Sequence, residues 1–123
     1  MSLIARNIDS GTIIADRLVI ASGRVDRAVG LLTRDHLDPG EGLLIVPCRG
    51  IHTWGMRFAI DLVALDQSGV VVDAVAALRP WRIRLPKRGA VSVLELPAGS
   101  LERSQTQRGH RIAIEPRPVE RPA

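Results

Sequence analysis

Two apolar runs, Phe58–Asp66 and Val70–Leu78, flank the tripeptide Gln67-Ser68-Gly69. No other pattern restricts the chain as much. A glycine between two apolar, β-branched runs supplies the positive φ of a tight turn, so this segment predicts a β-hairpin. Short apolar runs closed by turn residues recur along the chain. Gly11–Ala21 is β-branched but broken by Asp16-Arg17, which predicts a strand pair or one long, kinked strand. Asp38-Pro39-Gly40-Glu41-Gly42 reads as a turn, and Gly42–Val46 as a short buried strand ending at Pro47. Ala90–Leu96 predicts a further strand and Arg111–Glu115 an edge strand. Ser22 is placed to cap a short helix over Gly23–Leu32, with Val25, Ala28, Val29 and Leu32 on one face. Gly99–Gln107 predicts one or two helical turns with Ser100 as N-cap.

Short turns, rather than crossover helices, join most of these strands. The expected fold is therefore mainly β: a single antiparallel β-sandwich or barrel-like sheet with two short helices, with α+β as the alternative. The 123 residues suit one domain, expected over 1–115, with 116–123 as a flexible, proline-rich tail. A hydrophobic content of 46% argues against a disordered chain, and a single cysteine excludes an intrachain disulfide framework. No apolar stretch approaches the roughly 18–20 residues of a membrane span. Met1–Asp9 carries Arg6 and Asp9 and has no long apolar core, so no secretory signal is expected. These features predict a cytoplasmic location, a reduced Cys48 and no membrane partner.

Chemistry-bearing side chains concentrate in Pro47–Arg57 (PCRGIHTWGMR), which has no clean period. Cys48 and His52 stand four apart, a spacing open to a nucleophile–base pair or to two metal ligands. A structural zinc takes four ligands, and no second cysteine or nearby histidine completes a set, so neither metal nor other cofactor is expected. The alternative is a buried thiol and a histidine bonded to loop backbone. Trp54 and Met56 can line a small-molecule pocket or plug one end of the sheet. Trp54, Phe58 and Trp81 are the chain's only aromatic residues, and two of them sit within or beside this loop.

Three acids stand alone in apolar runs: Asp61, Asp73 and Glu95. A carboxyl group in apolar surroundings has a raised pKa unless it is paired or hydrogen-bonded, which makes such residues candidates for a site. A three-residue loop at Gln67-Ser68-Gly69 pairs Asp66 with Val70 and puts Asp61 and Asp73 on one sheet face. A two-residue loop separates them. Asp61 can instead cap backbone or pair with Arg57. Arg79, Arg82, Arg84, Lys87 and Arg88 surround Trp81 in a basic run. One tryptophan gives no stacking platform, so nucleic acid is not the expected partner, and a solvated edge loop is the simpler reading.

Several motifs occur in a fixed order: Gly30-Leu31-Leu32, Gly42-Leu43-Leu44-Ile45, Pro47-Cys48, Ile51-His52-Thr53, Gly55-Met56, Ile60-Asp61, Leu65-Asp66, Gly69-Val70-Val71 and Leu94-Glu95-Leu96-Pro97-Ala98-Gly99. Together they resemble the domain-of-unknown-function 192 family, also called uncharacterised protein family 0127, over about residues 12 to 114. Many relatives carry a Trp-Met-Lys-Asn-Thr-like run where this chain has His52-Thr53-Trp54-Gly55-Met56-Arg57. The resemblance implies a small, mostly β, sandwich-like domain and no settled activity.

The function expected from these readings is a small-ligand-binding or accessory module. Its pocket would be built from Cys48, Arg49, His52, Thr53, Trp54, Met56 and Arg57, with Asp61 and Glu95 beneath and a polar or anionic ligand above. Two alternatives stay open: an enzyme using Cys48 and His52 or a converging Asp61–Glu95 pair, and a nucleic-acid-binding module working through Arg79–Arg88.

Overall fold

The structure, a computed structural model, describes residues 3–21, 34–47, 51–53, 56–85 and 87–118, and only the main chain of residues 51 and 52. Nine strands and one helix lie within them. The strands are β1 (Leu3–Asn7), β2 (Thr12–Ala21), β3 (Glu41–Ile45), β4 (Ile51–His52), β5 (Ile60–Leu65), β6 (Val71–Leu78), β7 (Ile83–Arg84), β8 (Ser92–Pro97) and β9 (Ile112–Pro116), and the helix is α1 (Ser100–Ser104). Seven strands form one sheet in the order β6-β5-β8-β3-β2-β1-β9, while β4 and β7 form a separate two-stranded ribbon.

The mainly β expectation holds, with two corrections. The sheet is mixed: β2 and β3 run parallel, Val19 beside Leu43 and Ala21 beside Ile45. Parallel neighbours need a crossover of a dozen residues or more, and the chain between Ala21 and Glu41 is long enough to make it. The helix expected over 23–32 lies in that connection, outside the described residues. The described helix is a single short one. Gly99, at φ 97°, takes its N-cap position, and Ser100 instead donates its hydroxyl to the Pro97 carbonyl at 2.6 Å.

Gly11–Ala21 forms one long strand, bent where Asp16 and Arg17 both donate backbone N–H groups to the Gly40 carbonyl (3.0 and 2.9 Å). The hairpin around Gln67-Ser68-Gly69 is present. Asp66 pairs with Val70 through backbone (2.9 Å), and its carboxylate accepts the Ser68 and Val70 N–H groups.

The sheet curls until its two outer strands meet at one end. Val71 donates to the His110 carbonyl, Gly109 to the Val71 carbonyl and Ile112 to the Gly69 carbonyl, each at 2.8 Å. Joining the edges satisfies backbone groups that would otherwise invite pairing with another chain. The curl also creates an inside. Ala5, Ile14, Leu18, Leu44, Val63, Val71, Leu94 and Ile112 come from all seven strands and form one buried cluster, with Leu101 of α1 against it. β5 and β8 are buried at each of their six positions, so their outer faces are covered as well.

Closure depends on Gly69, whose φ is +83°, and a Cβ there would lie 2.6 Å from the Ile112 carbonyl oxygen. Gly69→Ala combines left-handed strain with that clash and is expected to cost about 2 kcal/mol or more. Denaturant titration would show it as a lower midpoint, whereas an unchanged midpoint would mean that the edges do not need to meet.

Candidate functional site

Glu95 sits near the middle of β8, the strand between β3 and β5. Its register partners are Leu43 on one side and Leu62 on the other. Side chains alternate between sheet faces, so Glu95 shares the outer face with Leu43, Leu62, Val93 and Pro97. The residue is 5% exposed. Among the described residues no hydrogen bond or ion pair reaches its carboxyl group. Burial alone pushes its pKa up, from 4.5 to about 7, because leaving water disfavours the charged form.

Two apolar groups cover this face on either side of Glu95. Leu37, Met56 and the half-buried Phe58 pack against Leu43, Ile45 and Ile60. Ala90, with Val72, Val75 and Leu78, packs against Leu62, Ala64 and Val93. The β4–β7 ribbon is fastened to the same face. Arg84 of β7 grips Asp73 of β6 with two hydrogen bonds of 2.8 Å, and this pairing holds the Asp73 carboxyl below its usual range against the opposing effect of burial. Thr53, fully buried, clamps the ribbon to the 79–82 turn. Its hydroxyl donates to the Arg79 carbonyl at 2.6 Å and accepts the Arg82 N–H at 2.9 Å. Its carbonyl accepts the Trp81 and Met56 N–H groups at 3.0 and 3.2 Å.

The structure thus divides the residues singled out by sequence. Thr53 and Met56 belong to the cover over the outer face, and Glu95 lies within it. Arg57 points into solvent and pairs with exposed Asp35 at 2.6 Å, a surface contact of small energetic weight. His52 contributes main chain to β4, opposite Ile83. Its side chain, and all of Cys48, Arg49 and Trp54, lie outside the described residues.

Asp61 does not join Glu95. Its register partner is Leu96, one position beyond Glu95, so the two carboxyls project from opposite faces of the sheet. Nor does Asp61 pair with Arg57. It is fully buried and accepts three backbone hydrogen bonds, from Ala77 (2.8 Å), Gly99 (3.1 Å) and Leu101 (2.8 Å). These bonds fasten the end of β6 and the start of α1 to β5. Asp73 does not share a face with Asp61 either. Asp66 and Val70 do pair, but a register shift between Ala64 and Leu65 places Asp73 opposite Ala64, on the Glu95 side. Sequence reasoning missed the Asp73–Arg84 pair, which no spacing rule connects across eleven residues of turn and strand. Among the described residues, one groove of about 300 Å³ opens between β2 and α1, bordered by Asp16, Ser100 and Arg103, and another of about 680 Å³ is bordered by Lys87, Arg88 and Arg108. Glu95 lines neither.

These features define a class: a small, mainly β domain whose curled, mixed sheet carries, on its covered outer face, a buried acid with no partner among the described residues. The chain belongs to the DUF192 family (uncharacterized ACR, COG1430), whose model matches residues 6–114. It is similar to the UPF0127 protein of Pyrococcus abyssi, 39% identical over 68% of this chain and 73% of that one. The UPF0127 protein of Pyrococcus furiosus is 32% identical over 86% of this chain and 93% of that one. The fold is similar to a crystal structure of a protein of unknown function from Novosphingobium aromaticivorans, with a TM-score of 0.76 and 21% identity, covering 90% of this chain and 82% of that one. The family's activity is uncharacterised.

Two predictions follow from the acids. Between pH 4.5 and about 7 the folded protein keeps a proton on Glu95 that the unfolded chain has released. Stability should therefore fall as pH rises through this window, by roughly 3 kcal/mol in all. Asp73 acts the other way, its contribution being lost only as pH drops through its lowered pKa. Glu95→Gln should flatten the neutral limb, so that the variant gains on wild type between pH 5 and pH 8; parallel stability curves would contradict this. Asp61→Ala strands three backbone donors and should cost about 3 kcal/mol or more, read as a lowered Tm.

Proposed function

We propose that this protein binds a small polar ligand through Glu95, between the outer face of β3, β8 and β5 and the segments that cover it. One observation carries this reading: a carboxyl group more than nine-tenths buried, flanked by Leu43 and Leu62, with no partner among the described residues. A polar group so placed loses its hydration without compensation. Packing alone is served better by another leucine. Groups with this combination of burial and perturbed pKa concentrate at functional sites.

The pKa near 7 narrows the ligand's chemistry. Protonated Glu95 donates its O–H to a carbonyl or ring nitrogen, and ionised Glu95 accepts from an amide, ammonium or amidinium group. An anion meets repulsion from the ionised form. The reading therefore favours a neutral or cationic polar ligand over an anionic one. Entry requires the cover to move, since Glu95 is 5% exposed. The ribbon pairs only two residues of β4 with two of β7, so opening it means releasing the Thr53 hydrogen bonds and the Arg84–Asp73 pair that fasten it. The same pKa supports a second reading, general acid–base catalysis near neutral pH. That chemistry needs another titratable group on the outer face, and Asp73 is already engaged by Arg84.

The test is carbon-detected NMR of the Glu95 carboxyl resonance in the full chain, titrated with imidazole, acetamide and guanidinium at pH 6 and pH 8. Saturable shifts at Glu95, with matching changes at Thr53 and Met56, are expected. A carboxyl that titrates with pH but ignores all three probes would overturn the proposal.

A further inference from the structure

The β4–β7 ribbon and its flanks have an inner and an outer side. Arg84 faces inward to Asp73. Trp81, Ile83 and Leu85 are 66%, 56% and 73% exposed. Three large apolar side chains within five residues are thus left in water. Ile83 and Leu85 alternate with the inward Arg84, as an extended segment requires. Trp81 is held at a positive φ of 63°, with its N–H on the Thr53 carbonyl. The patch is therefore anchored from beneath by a buried threonine and a half-buried ion pair.

Its charge environment is one-sided. Residues 79–91 contain five cations and no Asp or Glu. Arg84 is used by Asp73. Arg79, Arg82, Lys87 and Arg88 are exposed, and no acidic side chain among the described residues forms an ion pair with them. Arg108 comes in from the turn before β9 and, with Lys87 and Arg88, borders the groove of about 680 Å³. Lys87 stands two residues past Leu85, so the apolar ridge leads along the chain to this three-cation groove.

We propose that this face docks the protein on an anionic membrane surface, with Trp81, Ile83 and Leu85 entering the interfacial layer and the surrounding cations meeting lipid phosphates. Charge complementarity selects the partner. Two copies meeting through this patch would set cations against cations, so self-association is disfavoured. Nucleic acid satisfies the cations but not the ridge, because Ile83 and Leu85 offer no ring for a base to stack on. A bilayer interface takes both parts: aliphatic side chains enter the acyl boundary, an indole rests at the headgroup level, and basic residues face anionic lipid. The expectation of no membrane partner rested on span length. No helix among the described residues is long and apolar enough to cross a membrane, and docking of this kind needs none.

The experiment is co-sedimentation of the full chain with vesicles of phosphatidylcholine alone and of phosphatidylcholine with one third phosphatidylglycerol. Binding is expected on the anionic vesicles only, with release by salt. Each of Lys87→Gln and Arg88→Gln should weaken it about fivefold. The double variant Ile83→Ser/Leu85→Ser should weaken it at least about tenfold with an unchanged Tm, since both side chains are exposed. Tryptophan fluorescence should shift to the blue on binding in wild type and not in Trp81→Phe. Absence of vesicle binding at low salt overturns the proposal. So does binding that ignores the double variant, or tighter binding to single-stranded RNA than to vesicles. A dimer that the double variant dissolves would assign the ridge to a second copy and equally overturn it.

Discussion

Three backbone hydrogen bonds at one end of the molecule hold the outermost strands of the sheet together, and the rest of the arrangement depends on that closure. Once β6 and β9 meet, the inner face of all seven strands shares one core. The outer face of the central strands is then left to be covered by whatever the connections provide. Here the cover is a two-stranded ribbon, the residues around Met56 and Phe58, and the segment leading to Ala90. The molecule consequently has two interiors of different character. One is a core inside the curl whose acid, Asp61, is fully hydrogen-bonded, and the other is a covered face where Glu95 meets no partner among the described residues.

Asp61 and Glu95 show what these two settings do to the same chemical group. They occupy neighbouring rungs of neighbouring strands, and both are buried. Asp61 meets three backbone N–H groups that its oxygens can accept, and so serves as a joint between β5, β6 and α1. Glu95 projects between Leu43 and Leu62 and meets no donor among the described residues, and its charge is opposed by desolvation alone. A carboxylate that is fully hydrogen-bonded explains itself as architecture. One that is buried without a partner points to something outside the chain. This contrast, rather than the density of unusual residues in 47–57, locates the functional reading on β8.

Much of the fold was legible in the sequence. The hairpin at Gly69 announced itself because a tight turn needs a positive φ. The long bent strand, the buried strand before Pro47 and the strand carrying Glu95 followed from β-branched runs closed by turn residues. The parallel β2–β3 pairing did not follow, since strand direction depends on a long connection whose path no local pattern records. The ribbon strands were missed because two-residue strands carry too little alternation to register. Whether Asp61 and Asp73 share a face stayed open in the sequence: a three-residue loop would join them, but a shift in register between Ala64 and Leu65 moves Asp73 to the other side. For the site, the sequence identified Glu95 as an isolated acid, and it could not say which face that acid occupied or what it met there.

By itself, the sequence determined that the chain folds as a small, mainly β domain, and it supplied the short list of polar side chains able to matter. Those properties are local: turn conformation, alternation and the cost of placing charge among apolar neighbours act over a few residues. Only the tertiary structure decided that Asp61 is bound by three backbone donors while Glu95 meets none among the described residues, that Arg84 reaches back to Asp73, and that Trp81, Ile83 and Leu85 face outward among cations. Each of these is a relation between segments distant in sequence, set by how far the sheet curls and by the register at which its strands meet.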